Sequence, residues 1–303
     1  MYVEAIYIEE GRALVTYSVQ SDAKINLTLR ITGVLPSGYH SLVSLFLRLP
    51  SAELLTISTL EEDNVKDIVT TRNMQIEGEN ILEKALRVLR REKMCLSPFK
   101  IEVKKNLPPG TGLGGGSGNA AAFLSWVEKY YGIKISTGLA SQIGADVPFL
   151  LSASSLALVQ GIGDQCTLWP ALPSFLVVTA IPKWRVATAE AYAGLDSFYE
   201  KQGGFPLNTS ECLDEIHGIY EKLAQKKRVG FLPNDFSPWL LKRHPEYEDF
   251  FRFSEEQKAL AYGFSGSGSS VFALFDPVKL QVRLSRFKNF NWVEQILLWS
   301  DDR

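Results

Sequence analysis

Charge of one sign is what this chain lacks first. Its 32 Lys and Arg stand against 34 Asp and Glu, for a formal net charge of −2. Without a basic field, wholesale binding to nucleic acid or to an anionic membrane surface is excluded. The short run Lys226-Lys227-Arg228 reads as a helix C-terminus meeting its own dipole. Cysteine is scarce too: Cys95, Cys166 and Cys212 are odd in number, widely spaced and never in a Cys-x-x-Cys pair. That pattern argues against structural zinc and for a reducing compartment. No apolar run approaches the roughly 18 residues of a membrane span. Glu4, Glu9 and Glu10 stand where a secretory leader would be basic, so the expected location is the cytoplasm. There is no internal repeat and no low-complexity segment. The 303 residues, 46% of them hydrophobic, are enough for two ordinary cores.

Apolar periodicity predicts strands over 13–19, 24–32, 42–49 and 54–58, then an uncapped helix over 80–91 with Ile81, Leu82, Ala85, Leu86, Val88 and Leu89 in its stripe. A strand over 99–103 and a helix over 119–131 follow, then a short helix at 139–143 and strands at 147–151 and 156–159. Residues 161–173 read as a turn region. Beyond it come a strand at 175–180, helices at 188–199 and 210–225, a final strand at 270–275 and a helix at 278–287; residues 203–209 are the loosest stretch. Strands and helices mix without strict alternation. The fold class is therefore α+β in two domains, 1–165 and 166–303.

The densest signal is Leu107-Pro108-Pro109-Gly110-Thr111-Gly112-Leu113-Gly114-Gly115-Gly116-Ser117-Gly118, which runs straight into a small-residue helix start. Glycines let backbone N–H groups turn inward, and the helix that follows adds its unpaired N-terminal donors and positive dipole end. Such a loop is built to hold an anion, foremost a nucleotide phosphate. It is not a P-loop, because Gly116 is followed by Ser117 and Gly118 rather than by Lys and a hydroxyl residue. Gly110, Gly112 and Gly115 match the spacing of the dinucleotide fingerprint. The acidic residue that should end the next strand is missing from Gly132-Ile133-Lys134-Ile135-Ser136, and Pro108-Pro109 breaks the tight turn. A flexible surface loop is the bland alternative.

Four other sites stand beside this loop. Strand periodicity puts Lys24, Asn26 and Thr28 on the face opposite Ala23, Ile25, Leu27 and Leu29, which reads either as a solvated sheet face or as a lysine aimed at a ligand. Gly144-Ala145-Asp146-Val147-Pro148 places a carboxylate between a helix and an apolar strand, as a turn cap or as a functional acid. Gly38-Tyr39-His40 follows Pro36-Ser37 in a turn, as a packed tyrosine beside a surface histidine or as a ligand contact. Gly263-Phe264-Ser265-Gly266-Ser267-Gly268-Ser269-Ser270 is a second glycine loop, and two such loops favour a ligand clamp.

In order along the chain these motifs resemble the small-molecule kinase superfamily named for galactokinase, homoserine kinase, mevalonate kinase and phosphomevalonate kinase. Ala23-Lys24-Ile25-Asn26-Leu27, Gly38-Tyr39-His40, Gly112 to Ser117, Gly144 to Pro148 and Gly161-Ile162-Gly163-Asp164 narrow the resemblance to the 4-diphosphocytidyl-2-C-methyl-D-erythritol kinase family, over about residues 20–280. The resemblance implies an N-terminal domain with a left-handed βαβ unit, a ferredoxin-like C-terminal domain and an active site in the cleft between them. It implies ATP with Mg²⁺, a small-molecule substrate carrying a cytidine diphosphate moiety, and phosphorylation of its 2-hydroxyl in the non-mevalonate route to isoprenoid precursors. The absence of a transit peptide favours a bacterial setting.

Asp146 then corresponds to the family's catalytic aspartate, with Lys24 beside it. Pro108, Pro109, Gly110, Thr111, Gly112, Leu113, Gly114, Gly115, Gly116 and Ser117 correspond to the phosphate loop. Ser117 is a candidate contact to phosphate or Mg²⁺, with no dedicated metal site, and Asn80 lies near the adenine. Asn26, Tyr39, His40, Tyr192, Ser265 and Gly266 fall on the substrate side, Tyr39 and Tyr192 as the two faces for the cytosine ring. The chain departs from the family in its longer lead before Lys24, in Gly118 where a second serine is common, in Phe264 before the third-loop serine, and in an Asn234-Asp235-Phe236-Ser237 segment without a following acid. A homoserine- or mevalonate-type kinase lacks the Gly-Tyr-His turn. A silent nucleotide sensor would be expected to have lost Lys24 or Asp146. No nucleic acid or membrane partner is expected, and the expected assembly is a monomer or homodimer.

Overall fold

The computed structural model describes residues 3–9, 12–60, 66–76, 78–94, 96–279 and 284–300. By packing, the chain divides into two compact units, each gathered from separate stretches: Met1–Ala23, Leu49–Pro109 and Gly114–Ala153 in the first, Lys24–Arg48, Gly110–Leu113 and Ser154–Arg303 in the second. Two long strands, β2 (Arg12–Val34) and β3 (His40–Thr59), each contribute one half to either unit.

In the first unit β1 (Val3–Glu9) pairs antiparallel with the start of β2, and the later half of β3 pairs antiparallel with β5 (Phe99–Lys104), Leu54 opposite Lys104. The parallel partner of β5 is β4 (Ile68–Arg72). Between them α1 (Ile81–Arg91) completes a βαβ unit. On β5 the residues Phe99, Ile101 and Val103 are buried while Lys100 and Glu102 are not, the alternation of a strand with one covered face. The core beside them is filled by Leu82, Leu86 and Leu89 of α1, by Phe123, Leu124 and Trp126 of α2 (Gly115–Tyr131), and by α3 (Thr137–Ile143) and α4 (Val147–Leu151).

In the second unit the remaining halves of β2 and β3 are joined by a tight turn. The N–H of Leu35 donates to Tyr39 O and that of Gly38 to Leu35 O, with Gly38 at φ +83°, a conformation that suits glycine. β3 pairs there with β6 (Leu156–Gly161), and β6 with β7 (Gln165–Leu168). A second sheet has the order β12 (Val293–Trp299), β8 (Leu176–Pro182), β11 (Val271–Phe275), β10 (Ala261–Phe264), β9 (Gly230–Phe231). Its first four members are antiparallel neighbours whose order, numbered along the chain, is 4-1-3-2, the ferredoxin-like arrangement. Helices α5 (Thr188–Glu200), α6 (Thr209–Ala224), α7 (Ser237–Arg243) and α8 (Tyr247–Glu256) belong to this unit. Tyr247, Phe250, Phe264 and Phe287 pack with Leu29 and Val178 in its core.

Several expectations are corrected. Residues 147–151 form a helix rather than a strand: Pro148 sits in the first turn, where its missing N–H breaks no bond, and so short an apolar run carries no decisive period. The helix at 80–91 is not uncapped. Asn80 Oδ1 accepts from Leu82 N at 3.0 Å while Glu83 accepts from Asn80 N at 3.0 Å, a capping box. The stretch expected as a helix over 278–287 holds short 3₁₀ turns at Pro277–Lys279 and Leu284–Asn289, with 280–283 outside the described residues. The strand at 270–275 is not the last, since β12 follows it, and the expected turn region contains β7. Lys226 and Arg228 lie just past α6 and pair with Asp276 and Glu255. The units interleave rather than part at residue 165. Cys95 lies outside the described residues.

Candidate active site

The first unit supplies the helix N-terminus. From the end of β5 the chain continues through Lys105, Asn106 and Leu107 to Pro108-Pro109, and α2 opens after Gly114, which stands at φ +67° with no side-chain cap on the helix. The opening amides of Gly115, Gly116 and Ser117 have no acceptor one turn back within the helix, and no cap side chain closes them, which is the donor set an anion needs. Two close approaches explain the glycines. A Cβ on Gly115 would stand 3.1 Å from the Leu107 side chain, and one on Gly118 would fall inside the contact radius of the Asp22 carbonyl oxygen. The serine common in the family at Gly118 therefore has no room on this backbone.

Asp146 begins α4 at φ −80°, ψ −12°, half-buried, and its carboxylate makes no cap bond to that helix; its carbonyl accepts from Leu150 N at 3.2 Å. Ser117 Oγ faces the same joint, 3.4 Å from where a Cβ on Gly144 would stand. Asn80 is engaged in the α1 capping box.

The second unit holds the lysine strand. Both faces of β2 are buried from Lys24 to Leu29, which corrects the solvated-face alternative. Lys24, 5% exposed, donates from Nζ to Asn26 Oδ1 at 2.7 Å and lies 4.8 Å from the Phe46 ring centroid. Asn26 Nδ2 donates to Ser44 Oγ at 2.9 Å, and Ser44 Oγ donates in turn to Thr28 O. Ser265 Oγ accepts from Asn26 N at 3.3 Å and donates to Gly112 O at 2.8 Å. Lys24 N donates to Leu113 O and Ser270 N to Thr111 O, so the 110–113 segment is clasped to the lysine strand and to the second glycine loop. Gly112, at φ +75°, approaches the Ser265 carbonyl too closely for any side chain. Gly266 stands beside Asn26, its Cβ position 3.5 Å from Oδ1.

At the turn the structure brings together two of the three residues expected on the base side. The rings of His40 and Tyr192 are 4.5 Å apart, and His40 Nε2 is 2.6 Å from Asp196 Oδ1. Burial, with Asp196 adding to it, pushes the Tyr192 phenol up from its ordinary range, so it stays neutral. Tyr39 is 63% exposed at the turn. The first unit also holds a polar cluster outside the sequence motifs, in which Glu53, 1% exposed, accepts from Lys105 Nζ, Asn119 Nδ2, Asn106 N and Leu107 N.

A glycine loop opening a helix, a buried lysine on a strand and a ferredoxin-like sheet define the small-molecule kinase class first read from the motifs. The GHMP kinases N terminal domain model matches residues 80–166. The 4-diphosphocytidyl-2-C-methyl-D-erythritol kinase of Chlorobium limicola is 30% identical over 86% of this chain and 88% of that protein, and that of Nitratidesulfovibrio vulgaris 34% identical over 85% and 90%. A crystal structure of 4-(cytidine 5'-diphospho)-2C-methyl-D-erythritol kinase aligns at TM-score 0.75 and 25% identity over 93% of this chain and 98% of that one. The homoserine kinase of Cytophaga hutchinsonii, at 15% identity and TM-score 0.65, shares the fold. The chain belongs to the 4-diphosphocytidyl-2-C-methyl-D-erythritol kinase family.

Proposed function

We propose that this protein transfers the γ-phosphoryl group of ATP to the 2-hydroxyl of 4-diphosphocytidyl-2-C-methyl-D-erythritol, a step of the non-mevalonate route to isoprenoid precursors, in the cytoplasm of a bacterium as a monomer or homodimer. The observation that carries the reading is that the likeness to kinases of this name runs through 85–86% of the chain, well beyond the matched 80–166 domain. A homoserine- or mevalonate-type activity has only a shared fold in its favour.

Phosphoryl transfer asks mainly for positioning and for charge to offset the spreading negative charge. The backbone from Pro108 through Ser117 cradles the ATP phosphates, with Asn80 on the adenine side. The open amides of α2 and the glycines that exclude side chains fit a phosphate chain. Mg²⁺ arrives as part of the nucleotide substrate, with Ser117 as its candidate protein contact. The substrate oxygen bonds to the γ-phosphorus as the bridging bond to the β-phosphate breaks and ADP leaves. Asp146 takes the hydroxyl proton, and Lys24, oriented by Asn26, offsets charge on the moving group. Tyr39, His40 and Tyr192 hold the cytosine, with Ser265 and Gly266 along the substrate. ATP consumption assayed with the cytidine diphosphate polyol, the same polyol without that handle, homoserine and mevalonate is expected to show turnover with the first alone. Equal rates without the handle, or turnover of either other alcohol, would overturn the assignment.

A further inference from the structure

The cluster around Glu53 is more than a buried ion pair. Glu53 stands on the core-facing register of β3 with Leu55 and Ile57, and Lys105 continues the core-facing register of Phe99, Ile101 and Val103 on β5. Lys105 Nζ donates to Glu53 Oε2 at 2.6 Å with both side chains almost fully enclosed. Each oxygen of the carboxylate takes a second bond. Asn119 Nδ2, one turn into α2, donates to Oε2 at 2.7 Å, and the backbone N–H groups of Asn106 and Leu107 donate to Oε1 at 2.9 and 2.8 Å. Asn119 is fixed from its other end by Ser21 Oγ, which donates to its Oδ1 at 2.7 Å. Leu107, held by that backbone bond, packs its side chain against Gly115, the first residue of α2.

One carboxylate therefore ties the last residues before the glycine loop to the first turns of the helix after it. A buried ion pair is an expensive way to fill a core, and apolar residues of similar volume often serve stability as well or better. What an apolar pair cannot do is accept two backbone amides at the loop's entry and a side-chain amide at its exit. Those bonds set the direction in which the Gly115–Ser117 amides point, and an anion site loses strength when such donors are misaimed by even a fraction of an ångström.

We infer that Glu53 is a positioning residue for the nucleotide, holding the phosphate loop and the α2 N-terminus in register from below. The inference rests on the reading of residues 110–117 as the phosphate loop. The test is the pair of variants Glu53→Gln/Lys105→Met, which removes both charges together, and Asn119→Ala, which keeps the ion pair and deletes one bond. In the double variant KM for ATP and Kd for ADP are expected to rise about tenfold, and in Asn119→Ala about threefold. KM for the alcohol substrate should stay within about twofold in both. If the double variant does not fold, Asn119→Ala alone decides. A folded variant with unchanged ADP affinity, or one in which ATP and alcohol KM rise together, overturns the inference and leaves Glu53 as scaffold. Hydrogen exchange on the parent protein separates the two ideas. Protection of the 110–117 amides by ADP keeps the loop reading whatever the variants do, and its absence brings down the loop reading and this inference with it.

Discussion

Two lysines are buried to nearly the same degree, Lys105 at 4% and Lys24 at 5% exposed, and each is fixed by a different network of side chains. Lys105 faces a carboxylate whose remaining lone pairs are filled by three other donors, so its charge is cancelled where it stands. Lys24 donates to an amide oxygen and lies over an aromatic face, two contacts that orient an ammonium. The Asn26 that steers it is locked on its other side by Ser44. Burial alone does not tell a scaffold lysine from a reactive one, and substitution at each is what separates the two roles.

The largest effect should come from breaking the cancelled pair on one side only. Lys105→Met leaves the Glu53 carboxylate buried without its counter-charge and is expected to cost about 3–5 kcal/mol in denaturant unfolding, most of it recovered when Glu53→Gln is added. Lys24→Met should behave in the opposite sense, with a kcat loss on the order of 10²-fold, about 2.7 kcal/mol of barrier, and a melting temperature within a few degrees of the parent. Asp146→Asn, which keeps the shape and loses the proton acceptor, should fall by a similar factor with ADP still bound in calorimetry. A Lys24 variant that unfolds would make the two lysines alike. Tyr39→Ala asks whether the Lys24 unit carries the base. Binding of the cytidine substrate should weaken by roughly 1–3 kcal/mol, with Tyr39→Phe mild and ATP unaffected, and titration of both ligands reads the difference. Smallest is Asn80→Ala, where loss of the cap on α1 should lower stability by about 1 kcal/mol. A larger rise in KM for ATP than this accounts for would give Asn80 a role in the Lys105 unit beyond its cap.

Much of this was readable from residues in sequence. The glycine loop before α2 and the stripe of α1 follow from glycine chemistry and a period of 3.6. The Lys24 register follows from a period of 2, but its enclosure does not, because β2 is buried on both faces and alternation then stops reporting exposure. Helix α4 was missed because five apolar residues fit either period. The Asn80 cap was legible as Asn-x-x-Glu, a pattern left unread. Helices α7 and α8 hide in an aromatic stretch, Trp239 to Phe253, whose rings pack on several sides. The Glu53 cluster had a signal as well, a negative and a positive side chain each standing in the apolar register of its own strand. Their meeting depends on β3 pairing with β5 across about fifty residues of chain, which no local pattern reports.

The interleaving of the two units bears on how the chain reaches its native state. The second unit cannot close until residues 24–48, made early, meet partners beyond residue 154, and the first cannot close without both flanks of that segment. Loops of more than a hundred residues must be shut before their contacts return any energy, which places folding toward the slow, millisecond-to-second end for single domains. Cutting the chain at residue 165 would strand the Lys24–Arg48 hairpin with the wrong fragment. Two such pieces would regain structure only by finding each other, so refolding of the cut protein should depend on concentration where that of the intact chain does not.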